Sequence, residues 1–327
     1  MTTRSVLFDK AEEPRSVEVD DDLAGSLKSS QLLWADVRGA SDEADPLLSA
    51  LGVPPVLRPS RAGRDDSQPE RPSLFREQGW IRLAVTAIQA PAAEAPVADP
   101  IATTRLDVLA GKNIVVTIHA EPLDAIGAIE EQFRDEPGLG VLDAAALVAG
   151  IVDEVLANYL RHVEVIERRI DVLDELAIRG RSAKAYLGEV VALRRRIALL
   201  RRSLAPHREA FGPLARPDFE IAALGRPWPG LVDRLEATLA AIQNVRELLI
   251  GSVALQQSGT AERVNDVMKR LTIVNAVLLP AVVLAGVMGM NFPMPFFSNT
   301  GFFWVVVGAM ATLAITILGV ARLRGWL

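Results

Sequence analysis

Two uncharged apolar runs near the C-terminus constrain this chain more than any other feature. No charged side chain occurs from Leu271 to Met288, and none from Phe302 to Ala321. Each run is about 20 residues long. As a helix rising ~1.5 Å per residue, that covers the ~30 Å hydrocarbon core of a bilayer. The pair predicts two transmembrane helices, at about 271–290 and 302–321. Lys269 and Arg270 precede the first span, and Arg322 and Arg324 follow the second. Basic flanks of this kind place both termini in the cytoplasm, with "NFPMPFFSNTG" on the far side of a cell (inner) membrane. Phe302, Phe303 and Trp304 suit an aromatic belt at that far interface.

The rest of the chain reads as water-soluble. Its start, "MTTRSVLFDKAEEPRSVEVDDD", lacks the apolar core of a signal peptide, so about 265 residues are expected to stay unexported. The absence of cysteine removes disulfides and thiolate metal sites and fits a cytoplasmic domain. A net charge of −6 argues against a nucleic-acid partner. No phosphate loop, nucleophile triad or carboxylate dyad is present, so an enzyme is not expected. His119 and Glu121 are metal-ligating types, but two ligands so close at a strand end make a poor site, and a structural turn is expected there. His162 and His207 have no companion at zinc spacing.

The expected fold class is α+β: an N-terminal cytoplasmic α/β domain over residues 1–142, long stalk helices over 143–265, and a transmembrane hairpin over 266–327. Strand-like stretches are "SVLF", "LLWADV", "WIRLAVTAI" and "NIVVTIH", with "PLLSALGV" a short helix and "QAPAAEAPVADP" a hairpin connection. From about Asp143 the period becomes helical. Val152, Val155, Leu156, Tyr159, Val163, Ile166, Ile170 and Leu173 fall on one stripe. A second helix, "KAYLGEVVALRRRIALLRRSLA", has arginine clusters that read as a solvated face in preference to an anion site. Helix restarts near Leu231 and runs on toward Met290. That is about 60 residues, or ~90 Å, with Pro280 inside the membrane part.

Two spans cannot enclose a water path, so a conducting protein of this kind must oligomerise. The first span is patterned for that. Asn265, Met268, Thr272, Asn275, Leu279, Val282 and Gly286 recur at alternating steps of three and four, a heptad seam. An amide within hydrocarbon, as at Asn275, needs water or partners. Pore lining accounts for it together with its aligned neighbours; interhelical hydrogen bonding is the alternative. The second span has no polar group beyond Thr312 and Thr316 and suits a lipid-facing ring. Gly289, Met290 and Asn291 can end the pore helix and present carbonyl and amide oxygens to a hydrated cation.

The stretch "NDVMKRLTIVNAVLLPAVVLAGVMGMNF", a short loop, a second span and the tail "ARLRGWL" together resemble the CorA-type magnesium transporters. Upstream, "LLWADV", "LLSALGVPP", "QPERPSLFREQGWIRLAV" and "NIVVTIHAEPLDAI" resemble that family's cytoplasmic domain. The resemblance implies a homopentamer with a funnel-shaped cytoplasmic domain, a lipid bilayer around the hairpin, and Mg²⁺ as transported ion and regulator. It implies Gly289, Met290 and Asn291 as the outer recognition ring, Met268 and Leu271 as apolar constriction rings, and Asn265 as a polar ring below them. Two departures stand out. The loop "NFPMPFFSNTG" has no acidic residue. At the head of the long helix, Gly230 replaces the acid expected for metal sensing, and Asp233 is the nearest carboxylate. The expected function is a divalent cation channel or transporter, Mg²⁺ first and Co²⁺ alongside. The rivals are a ZntB-like Zn²⁺ transporter and a non-conducting membrane scaffold.

Overall fold

The structure, a computed structural model, describes residues 2–9, 12–19, 23–59, 71–91, 101–135, 143–178, 183–215, 229–290 and 300–326. The chain divides into two compact units: Met1–Leu176 with Gly180–Ser252, and Ala177–Arg179 with Val253–Leu327.

The first unit contains a seven-stranded sheet of order β2-β1-β3-β7-β6-β5-β4. Its strands are β1 (Thr2–Asp9), β2 (Glu12–Ser16), β3 (Gln31–Arg38), β4 (Ser73–Glu77), β5 (Trp80–Ile88), β6 (Thr103–Ala110) and β7 (Ile114–His119). β3 and β7 run parallel, and the other neighbouring pairs are antiparallel. The helices are α1 (Leu23–Ser26), α2 (Asp45–Ala50), α3 (Asp124–Asp135), α4 (Ala144–Ile178), α5 (Ala183–Leu204), α6 (His207–Phe211) and the first part of α7 (Pro229–Met288). The α+β class expected from the sequence is the observed one.

Alternation along the strands sorts side chains to two faces. On one face Leu33, Ala35 and Val37 share a core with Val116, Ile118, Leu48, Leu51 and Leu57. On the other, the ring of Phe133 on α3 packs 4.8 Å from Phe8 and 6.2 Å from Trp34, centroid to centroid. All eight residues of the stripe read from the α4 sequence are buried, from Val152 to Leu173. β6 was not among the expected strands. It carries Asp107, whose carboxylate meets Arg82 at 2.9 Å and Arg105 at 2.6 Å; the Arg82 and Asp107 side chains are 4% and 2% exposed.

β5 outlasts β4, which pairs with it only from Trp80 to Ala84. Helical side chains take over along the remaining edge. Tyr159 Oη donates to the Thr86 carbonyl at 2.9 Å, and His207 Nε2 accepts the Thr86 N–H at 3.0 Å. Asn158 Nδ2 donates to the Ile88 carbonyl at 3.2 Å, and His162 Nε2 donates to the Gln89 carbonyl at 2.9 Å. Main-chain groups that would otherwise be buried unpaired are thereby satisfied, and α4 and α6 are pinned to the sheet.

The second unit holds the last part of α7 and α8 (Thr300–Leu323). α7 is one helix of 60 residues containing Pro280. α7 and α8 are each long and apolar enough to cross a membrane.

Candidate functional site

Within the hairpin, α7 shows two different faces. Ile273 is buried, and Val277, Pro280, Ala281, Leu284 and Met288 are half-buried. The shielded positions of α8 are Phe302, Val306, Met310, Ala314, Ile317 and Ala321. Both sets recur at steps of three and four, the spacing of helices packed along a stripe. A shared groove lined by Ile273, Ala276, Ile317 and Val320 lies between the two helices.

The seam read from the sequence lies on the other side of α7, except that Thr272 stands at the edge and also lines the groove. Asn265, Met268, Leu271, Thr272, Asn275, Leu279, Val282 and Gly286 are all exposed. At about 100° per residue, Asn275, Leu279 and Val282 point roughly opposite to Ile273, Val277 and Leu284. Thr272 Oγ1 donates to the Met268 carbonyl at 2.8 Å, which satisfies its hydroxyl within the helix. Asn275 has no side-chain hydrogen-bond partner among the described residues, so its carboxamide is left for water, a hydrated ion or another copy.

The helix closes where the glycine-methionine pair begins. The Gly289 N–H donates to the Ala285 carbonyl at 2.9 Å, and the Met290 N–H to the Val287 carbonyl at 3.2 Å. A Cβ on Gly289 would stand 3.3 Å from the Ala285 carbonyl oxygen, a tight contact at the end of the helix. Met290 is exposed. Asn291 lies outside the described residues, as does most of the loop after it.

The model of the CorA-like Mg²⁺ transporter family matches residues 29–321, nearly the whole chain. The chain belongs to the CorA family. Its members are transporters and channels, not enzymes, and this protein is accordingly a membrane protein that moves divalent cations. The cobalt/magnesium transport protein CorA of Methanocaldococcus jannaschii is 23% identical over 92% of this chain and 93% of its own. The divalent cation transporter CmaX of Pseudomonas aeruginosa is 29% identical over 60% and 59%. Among solved structures, the complete CorA magnesium transporter from Methanocaldococcus jannaschii superposes with a TM-score of 0.70 at 20% identity, over 100% of both chains. The ZntB cytoplasmic domain from Vibrio parahaemolyticus gives 0.53 at 13% identity, over 80% of this chain and 97% of that one. At these identities the structures speak for the fold.

Outside the CorA hairpin, the histidines are occupied structurally. His119 Nδ1 lies 2.5 Å from the Glu121 carbonyl, and Nε2 lies 3.0 Å from Asp36 Oδ1. Asp36 also accepts from Thr117 Oγ1 at 2.5 Å, and Thr117 accepts from Trp34 Nε1 at 3.1 Å. This chain of bonds is a structural tie between β3 and β7. Asp233 is exposed near the start of α7, and the Gly230 position is open. Among the described residues no three of His, Cys, Asp and Glu gather into a group able to hold a metal. Sequence reading missed the turn that ends α8, whose signal was a glycine followed by an apolar residue in "ARLRGW".

Proposed function

We propose that this CorA protein assembles as a homopentamer in the cell (inner) membrane, termini in the cytoplasm, and conducts Mg²⁺ down its electrochemical gradient. One observation carries the reading: the seam from Asn265 to Gly286 is exposed, and apart from Thr272, which sits at the edge of the groove with α8, it lies on the side of α7 away from the shielded face. Copies of α7 arranged around an axis would turn that seam inward and leave α8 to the lipid. The names of relatives such as the cobalt/magnesium transport protein support Mg²⁺ with Co²⁺ as cargo.

In this arrangement residues 1–142 and 143–265 form the cytoplasmic funnel, and 266–327 the pore. Mg²⁺ gives up its water reluctantly, so the pore mouth must recognise a hydrated ion. The Asn291 carboxamide and the carbonyls of Gly289 and Met290 offer hydrogen-bond acceptors for that water shell. Further along, past the apolar stretch at Val282 and Leu279, Asn275, Thr272 and Asn265 supply polar contacts. Rings of Met268 and Leu271 close the pore by dewetting.

The test is flux of Mg²⁺, Co²⁺, Ni²⁺ and Zn²⁺ into liposomes containing the purified protein, with the assembly mass measured alongside. Saturable Mg²⁺ uptake competed by Co²⁺, from a particle of five copies, is expected. Uptake of Zn²⁺ without Mg²⁺ would assign the ZntB-like function, and no flux of any metal would leave a scaffold.

A further inference from the structure

The end of α8 folds back on itself. The Trp326 N–H donates to the Ala321 carbonyl at 2.9 Å, and the Gly325 N–H to the Arg322 carbonyl at 3.1 Å. Gly325 has φ +67, the left-handed conformation that glycine adopts without strain. These two bonds make a Schellman turn, in which the residue after the glycine packs against the last turn of the helix. The turn brings Trp326 to the shared groove of α7 and α8, whose lining it completes together with Arg324.

The groove is apolar. Ile273, Ala276, Ile317, Val320 and Ala321 form it, and its two threonines are spent within their own helices: Thr272 donates to Met268 and Thr316 to Thr312, each at 2.8 Å. Nothing inside it invites a polar ligand. Its mouth differs. Past Asp266 the sequence has no acidic side chain, so every charged side chain beyond it is basic: Lys269, Arg270, Arg322 and Arg324. Lys269 is engaged by Asp266 at 3.1 Å. No carboxylate pairs with Arg324 among the described residues. A dry slot within the membrane span, an unpaired guanidinium at its end and an indole beside it match one chemistry: an acyl chain below an anionic headgroup, with tryptophan at the interface.

We propose that the α7–α8 groove is a binding site for an anionic phospholipid, its acyl chain along Ile273 and Ile317 and its phosphate on Arg324, with Trp326 as the wall between. The proposal rests on the hairpin spanning a bilayer and is independent of which cation is carried. Bulk lipid would cover any apolar face. This groove differs in holding one charge type of headgroup longer than the rest.

The experiment uses the full chain in phosphatidylcholine vesicles with phosphatidylglycerol spin-labelled on its acyl chain, against spin-labelled phosphatidylcholine. The wild-type protein should immobilise phosphatidylglycerol preferentially. Arg324→Gln should cut that preference about fivefold, the order of one basic residue at an anionic surface. Ile317→Trp, which fills the groove, should lower immobilisation of both lipids. Trp326→Ala lies beyond the helix, tests the wall without touching span packing, and should also weaken retention. Preference unchanged in Arg324→Gln and Trp326→Ala overturns the site. Displacement of phosphatidylglycerol by millimolar inorganic phosphate overturns its assignment to a lipid. Cross-linking of cysteines at Ala276 and Ile317 exclusively between copies, with no immobilised lipid, gives the groove to a second chain and overturns it too. Absence of metal flux from the wild-type protein with lipid preference intact counts against the transport reading alone.

Discussion

His207 accepts the amide N–H of Thr86 through Nε2 at 3.0 Å, while its Nδ1 donates to the Leu204 carbonyl at 3.0 Å. The ring is therefore neutral, with its proton on Nδ1. Protonating Nε2 would break the bond to β5 and place a charge in a buried site. Burial pushes the pKa of His207 down from 6.5 to about 4. A lowered folded-state pKa stabilises the fold fully above pH 6.5, and that contribution drains away as pH falls to about 4. At ~1.4 kcal/mol per pH unit the group is worth about 3 kcal/mol. Urea unfolding followed by tryptophan fluorescence should show that much more acid sensitivity in wild type than in His207→Gln. Equal slopes for the two proteins would remove His207 as the acid-labile joint.

The His119–Asp36 pair is expected to behave with the opposite sign. Burial alone would lower the His119 pKa, but the hydrogen bond and charge of Asp36 and the Glu121 carbonyl outweigh it, with Arg38 opposing, and the group ends above 6.5. Its stabilisation is thus complete below pH 6.5 and is lost as pH rises through the raised folded value. Asp36→Asn should drop the His119 titration below 6.5, since burial then dominates. NMR titration of the His119 ring checks this, and a ring titrating unchanged in Asp36→Asn would contradict it.

Much of this fold was written in side-chain period. β3, β5 and β7 are dense in apolar and β-branched residues, and the α4 stripe from Val152 to Leu173 keeps the helical repeat, so both were legible. β6 was not, because Arg105 and Asp107 interrupt its apolar pattern. Only the structure shows that Arg82 pairs with Asp107 and lets that strand be buried. β4 was hidden for another reason: Phe75, Arg76 and Glu77 are exposed, so the strand has no buried face to advertise. The seam of α7 was legible from its steps of three and four. That the other face meets α8 was not, since alanine, valine and leucine cover both sides of a membrane helix. Ties such as Thr86 to His207 join residues 121 apart and leave no local signal.

Asn291→Ala should assemble normally and lose most Mg²⁺ flux, because the ring of carboxamides proposed to hold the hydrated ion at the pore mouth would be gone. Stopped-flow uptake into liposomes measures it, alongside the assembled mass. Flux at the wild-type rate from a correctly assembled mutant would defeat the proposed role of Gly289, Met290 and Asn291.

Leu271→Asp should raise leak. Met268 and Leu271 are 54% and 52% exposed, so in a ring of copies both are free to point at the axis. An apolar constriction excludes water until a charge is placed in it. Current in Mg²⁺-replete buffer is expected to rise at least several-fold. An unchanged leak would locate the gate elsewhere along the seam.

Sensing of cytoplasmic Mg²⁺ is expected to be weak. Regulation can be no stronger than the difference in metal affinity between closed and open states, and that difference comes from carboxylates brought together around a hard ion. The acid expected at the head of α7 is replaced by Gly230. Asp233 lies one turn on, and its neighbour Arg234 is held by Asp153 at 3.0 Å. No metal-holding group forms among the described residues of one copy, so none of them joins Asp233 in a site, and acids of a second copy are one source of further ligands. Asp20, Asp21, Asp22, Asp65 and Asp66 lie outside the described residues. Flux should therefore fall less than about tenfold, or ~1.4 kcal/mol of coupling, between low and millimolar cytoplasmic Mg²⁺. Asp233→Ala should erase what inhibition there is. Strong inhibition that survives Asp233→Ala would take Asp233 out of the site. Strong inhibition in wild type would show that other carboxylates have replaced the missing acid.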